Sequence, residues 1–190
     1  MHTIEPFNHW LKYYDSSIDD QSPFYGKEYN FDLYTETIYG YYIDPAWDSI
    51  GSETLYLKVL YADYTEQFVI LEFIGEWNDA INNDIMALKR GVIELFQREG
   101  IQKFILIGEN IMNFHGSDDA YYEEWYTEVA DEGGWIAAIG FPSFVSDEMR
   151  RFQLHHYISL FDKIFLENWR TLHPTRVFAL AEQMIQRKLS

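Results

Sequence analysis

The sequence predicts an α/β fold: a mixed β-sheet, antiparallel in its N-terminal hairpin and parallel in its later strands, with about four helices packed on it. Three observations predict this. Between Leu55 and Ile74, two apolar runs rich in β-branched and aromatic residues flank a short polar stretch, which is the pattern of a hairpin. From Asn83 onward, helical periodicity alternates with short apolar runs, which is the pattern of strand–helix–strand crossovers. Each of those crossovers is long enough for a right-handed connection, so the strands it joins are expected to be parallel.

The elements follow in order. His9, Trp10, Tyr13 and Tyr14 are spaced to line one face of a short helix, and Ser16 to Pro23 reads as loop. Phe31 to Ile43 alternates loosely with period two and is rich in Tyr, Thr and Ile, so a strand is expected. Asp44-Pro45 then forces a turn, since proline fixes φ and lacks a donor. Leu55, Leu57, Val59 and Tyr61 form one face of the next strand, and Asp63 to Glu66 is its hairpin loop. The return strand, Phe68 to Ile74, is apolar on both faces apart from Glu72, so it belongs at the centre of the sheet.

Ile81, Ile85, Leu88, Val92, Leu95 and Phe96 recur with helical period, which predicts a helix over Asn83 to Glu99. Asn82 or Asn83 caps its start and Gly100 its end. Gly91 inside it costs about 1 kcal/mol relative to alanine and is expected to mark close packing on the sheet. Lys103 to Gly108 is a short buried strand. Ser117 to Asp131 is a second helix, capped by Ser117 or Asp118, with Tyr121 or Tyr122, Trp125, Tyr126 and Val129 inward and Gly133-Gly134 at its end. Trp135 to Ile139 is a strand stopped by Pro142. Ser146 caps a third helix carrying Met149, Phe152, His156, Tyr157 and Leu160; Ile164 to Leu166 is a last strand. Pro174 opens a final helix running to about Leu189. The texture divides the chain into an aromatic-rich N-terminal extension, residues 1–54, and an α/β body, residues 55–190.

Composition excludes several classes. With 31 acids and 14 basic residues among 190, the formal charge is −17, the opposite of a phosphate-binding footprint, so no nucleic-acid partner is expected. With no cysteine, disulfides, thiol catalysis and Cys-ligated zinc are excluded. Met1 to Asp20 carries Glu5, Asp15, Asp19 and Asp20 and lacks the basic-then-apolar pattern of a secretory leader. No run approaches the roughly 18 apolar residues of a membrane helix, so a cytoplasmic protein without membrane insertion is expected.

From Leu55 to Leu189 the chain resembles the STAS domain in its SpoIIAA-like branch, the fold of anti-sigma-factor antagonists. Four pieces carry the resemblance: the strand Phe68-Val69-Ile70-Leu71-Glu72-Phe73, the helix closed by Glu99-Gly100, the strand Lys103 to Ile107, and the helix-starting loop His115-Gly116-Ser117-Asp118. The resemblance implies a regulatory domain that works through a protein partner, with Ser117 at the position of the phosphorylatable serine. The chain reads Gly116-Ser117-Asp118-Asp119 where that family's usual pattern is Asp-Ser-x-Gly. The SpoIIAA-like branch is also similar to lipid-carrier folds, which implies an apolar cavity.

The candidate site is Glu109 to Asp119, expected as a loop at the carboxyl end of the sheet, where open α/β sheets bind ligands. His115 is placed to act as base or ligand, oriented by Asp118 or Asp119, and these three are the catalytic set if the chain is an enzyme. Asn110 and Asn113 offer hydrogen bonds to a small polar group. Glu76, Trp77 and Asn78 leave the preceding strand and are expected beside the loop; with Ser117 they complete the ligand- or partner-binding set. Glu76, Asp79, Glu109, Asp118 and Asp119 offer oxygen ligands for a hard cation, but they have no EF-hand spacing, so no metal and no cofactor is expected. His155 and His156 are adjacent and point about 100° apart on a helix.

Charge is uneven along the chain. Glu109 to Glu132 holds eight acids and no Lys or Arg, while Arg150 to Ser190 holds seven basic residues and three acids. Either these segments pair internally or they offer a face to a basic partner or a second copy. Tyr39, Tyr41, Tyr42 and Trp47 cluster in the extension, as ring-rich interfaces do. Three functions are therefore expected in order: a non-catalytic regulatory domain acting through a protein partner or self-association; a binder of a small apolar molecule or lipid in an aromatic-lined pocket; and a hydrolase using His115.

Overall fold

The computed structural model describes residues 4–161 and 168–189. Its centre is one six-stranded sheet in the order β3 (Asp48–Ser49), β4 (Leu55–Asp63), β5 (Phe68–Asn78), β6 (Lys103–His115), β7 (Trp135–Ile139) and β8 (Ser159–Phe161). The first two neighbour pairs are antiparallel and the remaining three parallel. This is the α/β mixed sheet the pattern predicts. A separate two-stranded hairpin, β1 (Thr37–Ile38) and β2 (Tyr41–Tyr42), lies in the extension.

Alternation along the strands fills two large cores, and a smaller one of Ile38, Ile43, Trp47, Tyr56 and Ile74 lies under the extension, so Trp47 is core rather than part of an exposed ring cluster. One face holds Leu55, Leu57, Val69, Leu71, Phe104 and Leu106 under the helices α2 (Asp84–Leu88), α4 (Ala120–Asp131) and α5 (Ser143–Arg151). The other holds Phe68, Ile70, Ile105 and Ile107 under α6 (Pro174–Leu189) and Trp10 of the N-terminal arm. Phe7, Trp10 and Trp169 meet ring to ring at 4.9–5.3 Å, and the Trp10 indole donates to the Leu172 carbonyl at 3.0 Å, which docks the arm. Residues 8–14 make that dock through a tight turn rather than the helix their spacing suggests.

The structure corrects several local expectations. Phe31 to Ile43 is not one strand. Tyr39 (φ 52°) and Gly40 (φ 78°) both take left-handed angles, which makes them a two-residue hairpin turn inside that run. Tyr61 does not share a face with Leu55, Leu57 and Val59, because a bulge between Val59 and Tyr61 turns it over to stack on Phe68. The first helix is broken. Asn83 is left-handed (φ 53°) and separates α1 (Asp79–Asn82) from α2, so Ile81 points outward at 83% exposure instead of joining Ile85 and Leu88. A π-helical turn (Lys89–Ile93) then links α2 to α3 (Glu94–Arg98). Gly91 lies in that turn, and the nearest atom to an added Cβ would be 3.8 Å away, so close sheet packing is not its role. The turn instead buries Lys89, whose ammonium reaches Glu94, Glu124 and Glu128 at 3.0–3.2 Å and ties α4 to this helix.

Glu124 and Glu128 of α4 thus pair with Lys89 and Arg90, while Glu109 of the acidic segment pairs with Arg170 of the basic C-terminal one. Tyr126 of α4 is exposed, while Tyr122, Trp125 and Val129 are buried. Helix α5 starts after Pro142, not at Ser146, which is buried within it. Gln153 (φ 61°) ends the path of that helix, so His156 falls in a 3₁₀ turn and Leu160 in β8. The strand expected at Ile164 to Leu166 lies outside the described residues. Among the described residues no helix is long and apolar enough to cross a membrane.

Candidate functional site

The largest departure from expectation creates the site. Strand β6 does not stop at Gly108 but continues to His115, and β5 continues to Asn78 beside it. The pairing of β4 with β5 ends at Leu55 and Gly75, and that of β6 with β7 at Ile107 and Ile139. Beyond those points β5 and β6 run on as a two-stranded ribbon, with Glu76 opposite Asn113, Trp77 opposite Phe114, and Asn78 opposite His115. Two register shifts let the polar stretch Glu109 to His115 keep pace with β5.

Period two separates the faces of the ribbon. Trp77 and Phe114 turn inward; Trp77 is fully buried against Phe73, Phe114 and Tyr122, and its indole donates to Asp79 Oδ1 at 3.0 Å. Trp77 is therefore core, which corrects its place in the binding set: a buried ring meets no ligand. Glu76, Asn78, Asn113 and His115 share the other face. Glu76 accepts from Asn78 Nδ2 at 2.7 Å and from the Tyr39 hydroxyl. His115 Nε2 lies 2.9 Å from Asn113 Nδ2 and 3.8 Å from Glu76 Oε1. The Asn78 side chain also caps α1, accepting from the Ile81 amide at 3.0 Å. Glu76 is nearly covered at 12% exposure and His115 half open at 47%, so the face is a polar notch with the imidazole at its lip.

The hairpin turn supplies the missing wall. Ile38 packs over Gly75, and the next residue, Tyr39, reaches the Glu76 carboxylate. Burial and that carboxylate push the Tyr39 phenol up to about 12. A non-glycine residue at φ 52° is costly and survives where its surroundings demand it. Tyr39, Tyr41 and Tyr42 are 57, 60 and 50% exposed, and Ile81 stands on the other side of Asn78. The two elements tied to the notch, the hairpin and α1, thus expose aromatic and apolar side chains.

The remaining predicted residues sit elsewhere. Asp118 Oδ1 accepts its own Ala120 amide, and Asp119 accepts the Tyr157 hydroxyl at 2.9 Å, so neither is the residue His115 faces; Glu76 and Asn113 are. Ser117 is exposed between β6 and α4. Asn110 is half-buried on β6, opposite Ile74. Glu109 turns to Arg170 and Gly140, away from Glu76. Among the described residues no three His, Asp or Glu side chains converge as metal ligands would. Sequence reading groups Tyr39 with the aromatic cluster of the extension but does not bring it to Glu76, and it takes Ile81 for a core residue; the Tyr-Gly turn and the break at Asn83 are the signals that place them.

A second polar cluster lies inside the sheet's opposite face. Glu72 is 1% exposed; it accepts the Phe7 amide at 2.7 Å and faces Arg170 at 3.5 Å. Burial raises its pKa from 4.5 to about 7, against the pull of the Phe7 amide and Arg170. The native state therefore holds this proton more tightly than the unfolded chain, and stability is lost as pH rises from about 4.5 to about 7. The loss assigned to this group is roughly 3 kcal/mol. Glu72→Gln is expected to remove that slope and to be more stable than the parent at alkaline pH, read from urea midpoints across the range. Identical pH profiles would contradict the assignment.

No protein-family model matches the chain, and no curated protein sequence matches it. Solved structures similar to it include two of TM1081. The NMR structure of TM1081 matches 52% of this chain and 77% of its own at 17% identity and a TM-score of 0.40. The crystal structure of a "putative anti-sigma factor antagonist (tm1081)" from Thermotoga maritima matches 66% of this chain and 92% of its own at 11% identity and a TM-score of 0.44.

Proposed function

We propose that this chain is a non-catalytic regulatory binding domain, cytoplasmic, that engages a protein partner with a basic surface through the rim formed by the β1–β2 turn, the β5–β6 ribbon and α1. One observation carries the reading: two elements tied to the hydrogen-bonded polar notch expose large side chains, α1 with Ile81 at 83% exposure and the hairpin with Tyr39, Tyr41 and Tyr42 at 50–60%. Apolar and aromatic side chains around a few fixed polar groups are the composition of a protein-binding surface. The sign of the partner follows from charge, since the chain carries −17 overall and Glu76 sits at the notch. Self-association is the other form the reading takes, with the basic segment 150–190 of a second copy as the complement. Ser117, exposed at the rim's edge, is where a phosphate would change its charge.

The test compares proximity labelling in the source cells for the parent chain and for Ile81→Asp/Tyr41→Asp, with sedimentation of both proteins. Both changes are at exposed positions, so the fold is expected to survive, and circular dichroism checks it. The reading predicts proteins labelled by the parent and at least about tenfold less by the variant, a loss of roughly 1.4 kcal/mol or more in binding, or a parent dimer that the variant dissociates. An identical labelled set and identical sedimentation would overturn it.

A further inference from the structure

A cavity of about 500 Å³ lies between the N-terminal extension and β4, on the sheet face opposite α2 and α4. We propose that it is a binding site for a small organic cation with an aromatic or aliphatic body, distinct from the rim and independent of the rim's role.

The size is that of pockets for small molecules, which run from roughly 300 to 1,000 Å³. Its walls are apolar rings and one aliphatic chain: Phe7 and Leu11 from the arm, and Tyr29, Phe31 and Tyr34 from the returning segment. Phe31 and Leu11 stand 61 and 52% exposed at the mouth. The Tyr29 ring already faces the Lys58 and Lys27 ammonium groups at 4.0 and 5.3 Å, so the ring faces that would attract an incoming cation are those of Phe31 and Tyr34.

Charge in the cleft has the same sign. Glu5, Asp15 and Asp44 line it, against one ammonium, that of Lys58 on the floor. Lys58 is already matched: it donates to the Tyr29 hydroxyl at 2.7 Å and lies 3.4 Å from Asp48, which Lys27 also reaches at 2.6 Å. Burial pushes the Lys58 pKa down, with the Asp48 carboxylate opposing. A buried, partnered ammonium has little left to offer an anion, whereas the carboxylates of Asp15 and Asp44 accept from the neutral groups of Ser17 and the Ala46 amide, which leave their charge, and with Glu5 they line the cleft. The overall charge of −17 raises the local concentration of cations as well.

The test uses two probes of one shape and opposite charge, tryptamine and indole-3-acetate, titrated into the full chain by calorimetry, with the thermal midpoint followed in parallel. Tryptamine is expected to bind at one site at least about tenfold more tightly than indole-3-acetate and to raise the midpoint. Glu5→Gln/Asp44→Asn is expected to weaken tryptamine about tenfold, and Phe31→Ala to weaken both probes. Because the probe pair is compared on the unmodified chain, the outcome stands even if a variant folds poorly. Absence of binding by tryptamine at about 5 mM, equal or tighter binding of indole-3-acetate, or unchanged affinity in folded variants would each overturn the proposal.

Discussion

Gly75→Ala is expected to lower stability by about 3–5 kcal/mol, read as the shift of the urea unfolding midpoint. Gly75 has φ +111°, which side-chain-bearing residues rarely adopt, and a Cβ there would lie 2.0 Å from the Thr54 carbonyl oxygen. That oxygen cannot retreat freely, since it accepts the Glu76 amide at 3.0 Å. The Ile38 side chain closes the other side at 3.0 Å. The change therefore pushes apart the start of β4, the β1–β2 turn and the strand carrying Glu76, so the rim is disturbed along with the fold. Gly51→Ala is the control: Gly51 also has a positive φ (+90°), but open space surrounds its missing Cβ, so only the backbone penalty of about 1 kcal/mol applies. Equal, small losses for the two changes would show that the close approach at Gly75 is not as described.

Asp79→Ala is expected to cost a similar amount, about 3–5 kcal/mol. Asp79 is buried, and its carboxylate accepts three donors: the Tyr122 hydroxyl at 2.6 Å, the Trp77 indole at 3.0 Å and the Ile85 amide at 2.8 Å. Alanine strands all three beneath the ribbon. Asp79→Asn keeps an acceptor oxygen and is expected to lose far less. The pair also separates by pH. Burial raises the Asp79 pKa from 3.8 to about 6, opposed by the three hydrogen bonds. An acid whose pKa is raised on folding favours the native state below its unfolded pKa, and that advantage is lost as pH climbs from about 4 to about 6. The asparagine variant should lack this fall, so its deficit against the parent should shrink or reverse between about pH 4 and pH 7. A deficit that is large and flat with pH in both variants would contradict the buried, acceptor role of Asp79.

Much of the sheet is legible in the sequence because burial on both faces leaves continuous apolar runs. Phe68 to Ile74 and Trp135 to Ile139 are strands for that reason, and Gly100 and Gly133 close helices where left-handed turns favour glycine. The site is less legible because it breaks the local patterns. Glu109 to His115 is polar enough to read as loop, yet it is a strand, held by pairing with β5 and by the inward rings of Phe114 and Trp77. His115 is legible as a rim residue, but its neighbour is Glu76 across the ribbon rather than Asp118 or Asp119 along the chain. Ile81 fits the helical period of Ile85 and Leu88 in sequence, and only the left-handed angle at Asn83 turns it outward. Tyr39 takes part through the fold of the extension over Gly75, a long-range contact that no periodicity encodes.

The most direct measurement of the rim's role is hydrogen exchange on the full chain, free and bound to the protein captured by it, or as a function of concentration if the captured protein is a second copy. The rim account predicts slowed exchange in residues 36–43, 76–84 and 113–118, with the cavity-lining segment 28–34 unchanged and α6 unchanged too when the captured protein is not a second copy. Protection confined to α6 or to 28–34, with the rim exchanging as in the free chain, would place the binding face elsewhere and contradict it.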